Sequence, residues 1–263
     1  MNGTKEGIVQ FEVNDAIADI VVNRPSALNA LSREVLERLE VCFAELQSRS
    51  EVRVAVISGA GDKAFVAGAD VAAMHASTES DLKDFIELGQ RVMRAIETAR
   101  MPVIAAVGGF CLGGGMELAL ACDIIVASER AKFGQPEVNL GIIPGFGGTQ
   151  RLIHRAGLGT ARRLCLTGDM IAANEAMTLG LIDKLVAPEE LSEVVRKMAT
   201  TVTEKGPLAV AKAKEVIRLS QDENLTAGLS MEVAAFCELF STADRKEGMG
   251  AFLEKRRASF TGS

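Results

Sequence analysis

The sequence predicts an α/β fold with largely parallel strand pairing and a helical C-terminal appendage. Short apolar runs alternate with amphipathic helical periods along most of the chain. One run, "PVIAAVGG" at residues 102–109, is apolar throughout, as a strand buried on both faces should be. After Gly206-Pro207 the pattern becomes wholly helical. With 263 residues the chain can bury about 75% of its unfolded surface, so a large core needs no covalent staples.

The elements follow in order. Residues 8–22, "IVQFEVNDAIADIVV", alternate apolar and polar positions about Asn14-Asp15 and predict a β-hairpin. A helix is expected after Ser32, because Val35, Leu39, Phe43 and Leu46 recur on one face. "VRVAVISG" predicts a strand, and residues 59–70 a polar, glycine-containing loop. Phe85, Leu88, Val92 and Ile96 then mark a second amphipathic helix. The buried strand should end near Val107, with a glycine-rich turn behind it and a helix starting near Met116. Such strand-turn-helix junctions are where open α/β folds place ligands and anions. "DIIVASERAKFGQPEVNLGIIPGFGG" reads as short strands and loops, and helices resume at Thr149. A long amphipathic stretch covers about 224–240, and no sequence repeat of fixed period is visible. Two regions are expected: a core over 1–200 that carries the active site, and helices over 201–263 that carry self-association.

Composition narrows the function. Hydrophobic residues make up 48% and charged residues 24%, ordinary for a soluble globular protein. A net charge of −6, with no Trp and no Tyr, argues against nucleic-acid binding, which wants a basic stripe and stacking rings. No apolar run reaches the ~20 residues of a membrane helix. The start "MNGTKEG" is polar, so no signal peptide and a cytoplasmic location are expected. Cys42, Cys111, Cys122, Cys165 and Cys237 are odd in number, far apart and set among apolar neighbours, and read as reduced core residues. His75 and His154 have no second His or Cys at ligand spacing, so no metal site is expected.

The chemistry points to "GGGMELALACD", residues 113–123, which sets three glycines before Glu117 and an apolar run behind it. A place in the first turn of a helix explains the acid through the macrodipole, but not the glycines. Neither "GGFCLGGGME" nor "GFGGTQ" supplies G-x-G-x-x-G, and no P-loop Lys follows, so nucleotide-dependent chemistry loses support. What remains is a backbone-donor site, in which glycines at a helix N-terminus let peptide N–H groups approach an oxyanion. "AFVAGAD" at 64–70 offers a facing N–H. A second acid, Glu137, stands in "FGQPEVNLGIIPGFGGTQR". There Pro136 stiffens the backbone, Gln135 can orient the carboxyl, and the later glycines, Gly145 among them, permit a tight turn. Taken alone, Glu137 reads better as an exposed loop acid.

"NRPSALNAL", "AFVAGAD", "PVIAAVGGFCLGGGMELALACD", "FGQPEVNLGIIPGFGGTQRL", "LTGD" and "EGMGAFLEKR", in this order and spacing, resemble the enoyl-CoA hydratase (crotonase) family over nearly the whole chain. The resemblance implies a crotonase-type spiral of ββα units with a C-terminal α-helical trimerisation region, assembled as a homotrimer or a dimer of trimers. It implies an acyl-CoA thioester substrate and no metal or redox cofactor, coenzyme A being part of the substrate. The implied reaction is reversible syn addition of water to a trans-2-enoyl-CoA, giving a 3-hydroxyacyl-CoA, as in fatty acid β-oxidation or butanoate metabolism. By resemblance Glu117 and Glu137 are the catalytic acids, the N–H groups of Ala69 and Gly114 form the oxyanion hole, and Gln135 and Gly145 support them. Arg24, Ser26, Ala27, Leu28, Ala67, Gly68, Asp70, Val71, Phe252 and Lys255 map onto substrate and CoA contacts. Members that isomerise generally lack the acid at the Glu117 position, so the pair favours hydration. The alternatives are isomerase or hydrolase activity on the same fold, or an RNA-binding or interaction role. Two departures concern the coenzyme: Ser26 and Ala72 stand where relatives often carry Lys.

Overall fold

The computed structural model describes residues 7–263. The hairpin forms as β1 (Val9–Asn14) and β2 (Ile17–Val22), paired antiparallel with Asn14 opposite Ile17. Asp15, at φ 54°, takes the left-handed place that a two-residue hairpin turn requires. Helix α1 (Arg33–Ser48) begins where the Ser32 side chain accepts the N–H of Val35, and it buries Val35, Leu39, Phe43 and Leu46 as the periodicity requires.

There follow β3 (Val54–Gly59), β4 (Ala64–Ala67), α2 (Val71–His75), α3 (Glu79–Glu97), β5 (Val103–Val107), β6 (Phe110–Leu112) and α4 (Gly114–Leu120). Next come β7 (Ile124–Ser128), β8 (Lys132–Gly134), α5 (Gly148–Thr167, broken at Gly157), β9 (Met170–Ala172), α6 (Ala173–Thr178), β10 (Lys184–Val186) and α7 (Leu191–Thr203). The C-terminal helices are α8 (Pro207–Leu219), α9 (Leu225–Phe240) and α10 (Ala243–Glu254).

The strands form two sheets, ordered β1-β2-β3-β5-β7-β10 and β4-β6-β8-β9. Pairing is parallel except for the β1–β2 hairpin and the β8–β9 edge. Each of the pairs β3/β4, β5/β6 and β7/β8 sends its first strand to the large sheet and its second to the small one, and helix returns the chain for the next pair. The result is a spiral of ββα units. Strand β5 explains its unbroken apolar run: Val103, Ala105 and Val107 enter the main core, while Ile104 joins a second cluster under Val195 and Ala199 of α7.

Three features differ from the expectation. The loop at 59–70 contains β4, and the glycine-rich turn contains β6 with α4 starting at Gly114 rather than Met116. Strands of three or four residues are too short to show a period. Cys42, Cys111 and Cys122 are buried, Cys165 is half-buried, but Cys237 is exposed, because α9 turns only Ala235 inward. Leu225, Leu229, Val233, Phe236 and Phe240 of α9 stand in solvent. Among the described residues no helix is long and apolar enough to cross a membrane.

Candidate active site

The site is built where two strands of the small sheet end. In the parallel pair β4–β6, Ala67 lies opposite Leu112, and two residues further on stand Ala69 and Gly114. Leu31 grips the first of them from both sides: its N–H donates to the Gly68 carbonyl at 2.9 Å, and its carbonyl accepts the Asp70 N–H at 3.0 Å. The N–H of Ala69 between them has no acceptor among the described residues. On the neighbouring strand Gly113 N–H donates to the Gly134 carbonyl at 2.9 Å, and Gly114 opens α4, where no intrahelical acceptor exists. Neither Ala69 nor Gly114 donates its N–H to any acceptor among the described residues. Both line a cleft of about 140 Å³.

The three glycines have three different causes. Gly113 adopts φ 51°, ψ −126°, and a Cβ there would lie 2.9 Å from Glu137 Oε1. Gly114 brings its N–H to the cleft wall. Gly115 lets α4 press against β4, since a Cβ would stand 1.9 Å from the Val66 carbonyl oxygen.

Glu117 follows on the first turn of α4 and is only 1% exposed. Its Oε1 accepts the N–H groups of Phe146 and Gly148, both at 2.7 Å. Its Oε2 accepts no hydrogen bond from the described residues and is open to the cleft. Burial pushes the Glu117 carboxyl up to about 7, and the nearby charge of Glu137 pushes the same way against the two N–H donors and Arg151. Glu137 sits in the 3-10 turn Pro136–Leu140, and its own burial pushes it up to about 7. Fully buried Gln135, with its amide turned as its neighbours require, donates to Glu137 Oε1 at 3.0 Å and Oε2 at 3.1 Å. The two acids line one cleft, and the charge of Glu137 reaches Glu117. Gly145 holds the following loop to α3: its carbonyl accepts from Gln90 Nε2 at 2.9 Å, and Ile86 Cδ1 would lie 2.7 Å from a Cβ.

The enoyl-CoA hydratase/isomerase family pattern matches residues 12–263. The chain belongs to this family. It is 47% identical over 250 residues to the crotonyl-CoA hydratase of Syntrophomonas wolfei, covering 95% of this chain and 96% of that one. It is 44% identical over 249 residues to the short-chain-enoyl-CoA hydratase of Clostridium acetobutylicum, covering 95% of each. The crystal structure of an enoyl-CoA hydratase from Bacillus anthracis superposes with a TM-score of 0.95 at 38% identity, over 98% of this chain and 100% of that one. The spiral is the crotonase fold of this family.

The other residues mapped from the family pattern fall into three groups. Ala67, Gly68 and Val71 line the cleft with the two acids. Ser26 and Leu28 are exposed and Ala27 is half-buried beside them, on a turn tied to β4 where the Leu28 carbonyl accepts the Ala67 N–H at 3.0 Å. Arg24 in that segment directs its guanidinium inward, to Asp70 Oδ2 at 3.0 Å and the Ala30 carbonyl at 2.7 Å, while Asp70 caps α2. Phe252 is 82% exposed and Lys255 ends α10; neither lines the cleft of its own chain. The sequence missed the Phe146 and Gly148 donors and the apolar wall of Ile86, Leu140, Ile142, Ile143 and Phe146. The glycines flanking Phe146 were the available signal, but they show only that a turn exists.

Proposed function

We propose that this chain is a short-chain enoyl-CoA hydratase, adding water reversibly across the double bond of a trans-2-enoyl-CoA. One observation carries the reading: buried Glu117 and half-buried Glu137, each pushed up to about 7, share an apolar cleft with two N–H groups that have no acceptor among the described residues. Hydration puts an oxygen and a proton on adjacent carbons, so one group must deprotonate water while another supplies a proton. Two carboxyls that each titrate near 7 supply both, one ionised and one protonated. Two N–H donors and the charge of Arg151 favour ionised Glu117, whose open Oε2 takes the proton of water as the oxygen attacks C3. Negative charge then moves to the thioester oxygen, where the N–H groups of Ala69 and Gly114 receive it. Protonated Glu137 delivers its proton to C2. Dehydration runs the same steps backwards. The 44–47% identity to relatives named for crotonyl-CoA and short-chain substrates supports the chain length.

Residues 1–200 form the catalytic core in this reading, and 201–263 assemble the chain as a trimer or a dimer of trimers. The test is direct. Glu117→Gln and Glu137→Gln should each lower kcat by about 10² to 10⁴ with thioester binding retained. The wild type should bleach the conjugated enoyl absorbance without releasing thiol. Near-normal turnover in either variant overturns the two-acid mechanism, and thiol release makes the chain a hydrolase.

A further inference from the structure

One side chain outside the cleft is tied to the donors that hold Glu117. Arg151 on α5 grips Glu97 at the end of α3 with two prongs, Nε to Oε1 at 2.5 Å and Nη2 to Oε2 at 3.0 Å. Its remaining nitrogen, Nη1, donates to the Phe146 carbonyl at 2.6 Å. The same Phe146 gives its N–H to Glu117, and Gly148 gives the second. Gly147 between them sits at φ +105°, and a Cβ on it would stand 2.1 Å from Arg151 Nη1. The guanidinium therefore fills the space inside this turn. Arg151 and Glu97 are 18% and 27% exposed at their side chains, so the pair is partly sheltered from water.

We propose that Arg151, locked by Glu97, is a positioning residue that sets the orientation of Glu117 by holding the Phe146 and Gly148 N–H groups on its Oε1. This rests on the hydratase reading. Three planar contacts fix the guanidinium, and its one hydrogen bond to Phe146 fixes the turn from inside. A lysine carries the charge but lacks the planar fork that pairs both Glu97 oxygens while a third nitrogen reaches the Phe146 carbonyl. The charged and titratable groups facing Glu117 are Glu137 from the 3-10 turn, Arg151 and Cys165 from α5, and Glu97 of α3 through Arg151. Removing Arg151 takes away a positive charge and loosens two donors, and both changes disfavour ionised Glu117. The acidic limb of the pH–rate profile must then move to higher pH.

The experiment measures crotonyl-CoA hydration by the full-length chain across pH. Arg151→Met should lower kcat about 100-fold with KM within about threefold, and raise the acidic limb. Arg151→Lys should recover little of this, and Glu97→Gln should lose about tenfold with the same direction of pH shift. The double variant should be no worse than Arg151→Met, because both residues act through one contact. An active wild type whose Arg151→Met variant keeps its kcat and its acidic limb, even with a lowered Tm, overturns the proposal alone. A wild type that hydrates no enoyl-CoA overturns the hydratase reading and this proposal with it. If Arg151→Met does not fold, Glu97→Gln decides: an unmoved acidic limb overturns the positioning role.

Discussion

Glu117 shows how much one buried carboxyl changes the behaviour of the molecule. Its value in the unfolded chain is that of an ordinary glutamate, 4.5, and folding raises it to about 7. Between those values the folded state holds more protons than the unfolded state, so stability falls as pH rises through this window. At about 1.4 kcal/mol per unit the loss approaches roughly 3 kcal/mol by pH 8. Glu117→Gln removes the titration while preserving the shape. The variant should therefore gain stability over the wild type as pH rises from 4.5 to 8, read as the difference in urea unfolding at fixed protein concentration. A difference that is flat with pH would mean the carboxyl is not held against ionisation. The acid itself was legible in the sequence, because Glu beside an apolar run is an anomaly and the family pattern gave it a role. Its partners were not. Backbone donors such as Phe146 N–H leave no side-chain signature, and only the folded turn brings them to Oε1.

At the scale of elements, the placing of α4 against β4 sets the geometry of the proposed site. Gly115 is the contact point, since any Cβ would overlap the Val66 carbonyl, which is backbone and cannot swing aside. Gly115→Ala must push α4 away and carry the Gly114 N–H and Glu117 with it. The expected outcome is destabilisation of about 1–3 kcal/mol and a kcat at least about tenfold lower, because misplacement of about 1 Å can cost 10² in rate. A variant with wild-type kcat would show that the proposed oxyanion donors do not depend on this contact. The same packing explains which elements the sequence revealed. Helices α1 and α3 bury one face each, so their periodicity is plain, and the hairpin alternates because its strands have unlike faces. Strand β5 is buried on both sides and reads as an apolar run. The strands β4, β6, β9 and β10 have only three or four residues, and their pairing is set by distant neighbours rather than by local pattern.

For the whole molecule, the spiral was legible only through family resemblance. Its ββα units repeat in topology but not in sequence, because each occupies a different place against the two sheets. The C-terminal face was legible from its residues, and the structure sharpens it. Leu225, Leu229, Val233, Phe236 and Phe240 recur at spacings of three and four, forming one stripe along α9 that is at least half exposed at every position. Covering a side chain of this size contributes about 1.5–3 kcal/mol, so an uncovered stripe of five is a strong drive to associate. Lys255 and the exposed Phe252 lie at the same end of the chain and away from their own cleft. We propose that self-association places these residues beside the coenzyme bound to a neighbour. The expected outcome is that Val233→Asp with Phe236→Asp shifts the chain to monomers in sedimentation and raises KM for crotonyl-CoA. Lys255→Ala, which leaves the stripe intact, should stay assembled and raise KM with little change in kcat, as a contact made equally in ground and transition states does. Its effect should shrink at high salt, where an exposed charge is screened. A wild type that sediments as an active monomer would show that the stripe is covered by something other than a second copy, and equal KM values for wild type and Lys255→Ala at low salt would remove the lysine from the coenzyme's surroundings.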